Sequence, residues 1–162
     1  MTGPTIAGCS YAAGGASLSV TFDAALLAGG ALTVLAYDQP KQSAFSVLVN
    51  SSDDAGSGTW VPVNIALGPA GSSSVTADLA PLGGAAPQAI KYAWGATGGR
   101  PNEADVICCH SLGAAAECVP GQCPIFVAMP LAPFGGLPAN PFLAKISAQG
   151  KCECPAPQVC DA

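Results

Sequence analysis

Twenty glycines and fifteen prolines punctuate a chain of 162 residues. Both residue types interrupt helices and promote turns, so the chain is confined to short elements joined by tight connections. Its length suits one domain with a real core. The hydrophobic share is 50%, but much of it is alanine, and bulky core formers are thinner than that share implies.

Between the breaks the pattern has period two. Ser17-Leu18-Ser19-Val20-Thr21-Phe22 alternates small polar and apolar residues, the mark of a half-buried strand. Residues 31–37, 44–49, 60–65, 74–79 and 89–94 read as five more strands, with a polar loop over 50–58. Pro62 marks its strand as an edge or a bulge. Residues 24–28 suit one helical turn, ended by Gly29-Gly30, and no segment reads as an amphipathic helix. The expectation is an all-β fold, an antiparallel β-sandwich of about six to eight short strands. Residues 95–121 break the pattern. Beyond Cys123, prolines at 124, 130, 133, 138 and 141 argue against helix or central strand. That stretch is expected to run as an extended strap across the sandwich, pinned by disulfides and by Phe134 and Phe142.

Charge narrows the partners. Five Lys and Arg against ten Asp and Glu leave a net charge of −5, which argues against a nucleic-acid surface. The apolar run 24–36 is too short and too glycine-rich to span a membrane. Eight cysteines, seven of them in the last third, point to disulfides and an oxidising compartment. Asn50-Ser51-Ser52 is a candidate N-glycosylation site in keeping with that compartment. Met1-Thr2-Gly3-Pro4 opens no signal peptide. A secreted or lysosomal/endomembrane location therefore needs an export signal outside this chain, as in a fragment of a longer gene product.

Each candidate chemistry meets a simpler reading. His110 is the only histidine, and no Gly-x-Ser-x-Gly elbow accompanies it, so it reads as a surface loop residue rather than a general base. Cys108, Cys109, His110, Cys118 and Cys123 lack paired Cys-x2-Cys knuckles, and Cys152-Glu153-Cys154 is too tight for one. A disulfide framework is favoured over zinc, with the partners of Cys9, Cys108, Cys109 and the tail cysteines left open. Asp53-Asp54 with Asn50 reads as a solvated loop rather than a calcium site, and Gly56-x-Gly58 precedes a strand rather than the helix a phosphate cradle requires. No cofactor is implied. Tyr92 and Trp94 share one strand face and read as core before sugar platform, while Lys91 faces the other side.

Three short motifs follow in order: Lys91-Tyr92-Ala93-Trp94, then Cys118-Val119-Pro120-Gly121-Gln122-Cys123-Pro124, then Leu137-Pro138-Ala139-Asn140-Pro141-Phe142. Together they resemble the C-terminal β-rich end of the sialate O-acetylesterases, secreted carbohydrate esterases. The resemblance covers residues 3–146, with an insertion at about 95–117 and a Cys-rich tail over 147–162 that fall outside the family pattern. It implies a disulfide between Cys118 and Cys123. It also implies a catalytic SGNH-type hydrolase domain as partner and O-acetylated sugars as the substrates of the whole enzyme. The family's Gly-rich Ser block and Asp-x-x-His block have no match here, so no catalytic residue carries over. The expected role is an accessory region without activity of its own. The alternative is a stand-alone, disulfide-stabilised glycan- or protein-binding domain that uses Trp60, Tyr92 and Trp94. A repetitive matrix protein is a third reading, and it lacks the repeats it needs.

Overall fold

The computed structural model describes residues 3–27, 30–34, 45–51, 58–92, 125–128 and 136–153. The strands are β1 (Ile6–Tyr11), β2 (Ser17–Phe22), β3 (Ala31–Val34), β4 (Phe45–Val49), β5 (Thr59–Val63), β6 (Ile65–Leu67), β7 (Ser74–Asp78), β8 (Ala89–Tyr92), β9 (Ile125–Ala128), β10 (Gly136–Pro138), β11 (Phe142–Ile146) and β12 (Cys152–Glu153). Two short 3-10 turns, Ala24–Leu27 and Ala80–Leu82, are the helical elements among the described residues. Each is opened by an aspartate two residues upstream of the amide it caps. Asp23 Oδ1 accepts the Ala25 N–H at 2.8 Å and Asp78 Oδ1 accepts the Ala80 N–H at 2.9 Å.

All strand pairs are antiparallel. A first sheet has the order β1-β2-β7-β6, a second β12-β11-β8-β4-β5 and a third β10-β9-β3. The inner faces of the first and second sheets share one core with Leu32, Ile125 and Val127 of the third. This is the antiparallel all-β sandwich expected from the alternation, with more strands than the six to eight read from it.

Alternation explains the register. In β2, Leu18, Val20 and Phe22 are buried while Ser17 and Thr21 are exposed. In β7, Val75 and Ala77 turn inward on the same side. A one-residue slip would turn this set out to solvent, so burial specifies the pairing. Each fully buried side chain of the size of Leu18 or Val20 stabilises the fold by roughly 1.5–3 kcal/mol relative to exposure.

Two elements depart from the sequence reading. The segment expected as one strand over residues 60–65 is two strands, because Asn64 is where the chain leaves the second sheet and enters the first. Its carbonyl accepts the Asp78 N–H at 2.9 Å. Pro62 does sit on an edge strand, β5, where its missing N–H costs no ladder bond on the open side.

The second departure concerns the proline-rich C-terminal stretch. Its described parts hold extended segments, and two of these are central strands. β9 lies between β10 and β3, and β11 lies between β12 and β8. Proline does not prevent this, because β9 and β11 contain none and Pro138 falls on the edge strand β10. Phe142 anchors the stretch, as expected, while Phe134 lies outside the described residues.

Candidate functional site

The motif residues form a packing centre. Lys91 and Tyr92 end β8, and Phe142 opens β11 directly opposite Tyr92 in register. Phe45 of β4 lies opposite Tyr92 on its other side. The three rings pack at centroid distances of 5.0 Å (Phe45–Tyr92), 5.8 Å (Phe45–Phe142) and 5.9 Å (Tyr92–Phe142). Phe22 of the first sheet closes the group edge-on to Phe142 at 6.3 Å. All four rings are fully buried. Two motifs far apart in sequence thus meet as neighbouring strands, and Leu137 of the third motif packs against the same core.

Burial also decides the chemistry of Tyr92. Loss of hydration pushes its phenol well above the usual tyrosine range, opposed in part by the Ile125 backbone amide that hydrogen-bonds its oxygen. The group stays neutral and shielded. It is the core residue read from the strand pattern and is no sugar contact.

Lys91 and Trp60 lie on the opposite face of the second sheet. The Lys91 ammonium sits 4.6 Å from the centre of the half-buried Trp60 ring. One ring face is therefore occupied by a cation, and a sugar stacking on that face would have to displace it.

The ends of the domain are tied by polar side chains that the sequence reading did not single out. The Asn140 amide donates to Thr5 Oγ1 at 2.9 Å, and its backbone N–H donates to the Pro4 carbonyl at 2.8 Å. Gln88 acts as a surrogate peptide group. Its Oε1 accepts the Ser51 N–H at 2.7 Å and its Nε2 donates to the Ser51 carbonyl at 3.0 Å. Asn50, the glycosylation candidate, is exposed beside that pair at φ +55°, a left-handed conformation that asparagine tolerates. Asparagine and glutamine in the connections beside strands, like Gln88 ahead of β8 and Asn140 ahead of β11, carry no periodic signal, which is why pattern reading passes over them.

One disulfide is present among the described residues, between Cys9 of β1 and Cys152 of β12, with Cα atoms 4.9 Å apart. It resolves a partner for Cys9 that spacing alone left open. Ala93, Trp94, Cys118, Gln122, Cys123 and Pro124 lie outside the described residues, as do Cys108, Cys109, His110, Asp53 and Asp54. The expected Cys118–Cys123 bridge belongs to that group. Pro138 is in β10, and Pro141 is half-buried ahead of β11.

Among the described residues no charged side chain is buried, and no three His, Cys, Asp or Glu side chains converge as a metal site would require. No described helix is long and apolar enough to cross a membrane. No protein-family model matches the chain, and no curated protein matches it.

Proposed function

We propose that this chain is the C-terminal β-rich accessory region of a sialate O-acetylesterase-like carbohydrate esterase. Its work is structural support of an SGNH-type hydrolase domain that cleaves O-acetyl esters of sialic acids or related sugars. The observation that carries the reading is the position of the motif residues. Tyr92 and Phe142 are core residues paired across β8 and β11, as a supporting element would use them, and neither offers a reactive group to solvent. The low charge and the Cys9–Cys152 bridge suit a secreted or endomembrane protein.

An accessory region should be silent alone. The purified chain should not hydrolyse p-nitrophenyl acetate above the rate of buffer. Hydrolysis that disappears in His110→Ala would overturn the reading. An in-frame Asp-x-x-His block upstream of Met1 in the gene is the positive expectation. Quenching of Trp60 fluorescence by sialic acids would favour the stand-alone binding module instead, because Trp60 is the half-exposed ring that Tyr92 is not.

A further inference from the structure

We propose that the contact between β1 and β12 is a redox latch. In this view, reduction of Cys9–Cys152 opens one edge of the sandwich while both sheets stay folded.

Each side of that edge is held by its own sheet. β1 is paired along its length with β2, from Ile6↔Phe22 to Tyr11↔Leu18. β11 is paired with β8 at four positions, from Phe142↔Tyr92 to Lys145↔Ala89. Neither strand depends on the other for its place. The junction between them is much thinner. At the hairpin end its backbone pairing is a single bridge, Ser10↔Lys151, carried in part by the Tyr11 N–H donating to the Gly150 carbonyl at 2.7 Å, and it is joined there by the disulfide, while the Asn140 bonds to Pro4 and Thr5 hold the far end. β12 itself spans only Cys152 and Glu153 and pairs with β11 at two positions. The turn before it closes on its own bonds, Gly150 N–H to the Ser147 carbonyl at 2.8 Å and Ser147 N–H to the Lys151 carbonyl at 2.8 Å. The hairpin end can therefore swing as a unit.

The geometry also sets the order of attack. Cys9 is buried at 7% exposure, whereas Cys152 is half-buried and reachable from solvent. A thiolate of a small dithiol attacks Cys152 Sγ, the Sγ–Sγ bond breaks, and Cys9 leaves as thiolate and takes up a proton. The second thiol of the reductant then displaces Cys152. The dithiol ends as its own disulfide, having supplied two electrons, and both cysteines end as thiols. Without the covalent tie, that single bridge and the packing of Cys9, Tyr11 and Cys152 remain at the hairpin end, and a contact with so little backbone pairing opens more readily than a central strand.

Gly150 offers an independent way to open the same edge. It has φ +73°, and a Cβ added there would run into the Tyr11 carbonyl. Gly150→Ala should disturb the junction with the disulfide intact.

Amide hydrogen exchange tests the latch on the full chain. Wild type with and without a small dithiol, Cys9→Ser/Cys152→Ser, and oxidised Gly150→Ala are compared. The expected result in all three perturbed samples is exchange faster by about tenfold or more at the Tyr11 amide and across residues 148–153. Protection at Val20, Val75 and Ile90 should be unchanged. An unchanged Tyr11 amide in the reduced protein and the serine variant would show that the bridge does not hold the edge. Loss of protection at the central residues, or failure of any variant to fold, would show that the edge is no separable latch but part of the global fold.

Discussion

The two large sheets use opposite strategies. The first sheet is one-sided: Leu18, Val20, Val75 and Ala77 face the core, while Ser17, Thr21 and Asp78 face outward and are exposed. The second sheet is buried on both faces at its centre. Phe45, Val47, Ile90, Tyr92 and Phe142 fill the shared core, yet Leu48 and Ala89, which point the other way and pair in register, are each only 2% exposed. Both sheets bury bulky aliphatic side chains, but the aromatic part of the core is concentrated in the second. Three of the four clustered aromatic rings belong to the second sheet and only Phe22 to the first. A mutation's cost should therefore depend on which sheet carries it as well as on which way it points.

The largest expected effect is at the ring that touches the other three. Phe142→Ala should destabilise the domain by about 3–5 kcal/mol in equilibrium denaturant unfolding with disulfides intact. A loss below about 1 kcal/mol would mean that the aromatic cluster of the second sheet does not anchor the core. Leu48→Ala should cost about 2–5 kcal/mol although the side chain points away from the sandwich interior. A near-neutral result would return the second sheet to the one-sided class.

Tyr92 sharpens the comparison through pH. Its folded-state phenol is raised, so above about pH 10 the unfolded chain releases a proton that the folded chain keeps. The unfolded state then binds fewer protons, and stability falls by about 1.4 kcal/mol per pH unit. Urea unfolding of wild type and Tyr92→Phe between pH 9 and pH 11 (solution conditions chosen for disulfide integrity) should show the steeper alkaline decline in wild type. Parallel curves would place the phenol in contact with water. Thr21→Ala, on the outer face of the first sheet, should change stability by no more than about 0.5 kcal/mol in the same assay. A larger cost would show that the hydroxyl face is covered like its counterpart.

Much of the sandwich was legible because strand periodicity is a local property. Ser17–Phe22 alternates without interruption and forms a strand with those bounds. Pro62 pointed to an edge or a bulge because a residue without an N–H cannot serve a central ladder, and the edge is what formed. β1 was not legible. Ile6-Ala7-Gly8-Cys9-Ser10-Tyr11 has irregular alternation, and its pairing with β2 shifts register between Ile6 and Gly8. A bulge of that kind hides the period that pattern reading depends on. β11 was obscured by a count of prolines taken over a whole stretch, when only their positions relative to the strand matter.

The candidate site was legible in part. That Tyr92 belongs to the core followed from its strand, but its meeting with Phe142 and Phe45 did not, since neither distance nor partner is encoded in period two. The Trp60–Lys91 contact was equally hidden, because it joins residues on two strands that are not neighbours in the sheet.

By itself the sequence determined the class of structure. Its glycines and prolines ruled out long helices, its alternating segments required sheets with a buried face, and its cysteines called for covalent ties. These are constraints on short stretches of backbone, and each acts before any distant residue is met. The tertiary structure alone decided that Cys9 pairs with Cys152 across a separation of 143 residues, that Asn64 divides one apparent strand between two sheets, and that residues from two separate motifs become neighbours in one core. Those outcomes rest on which buried faces fit together, and that fit exists only once the sheets have packed.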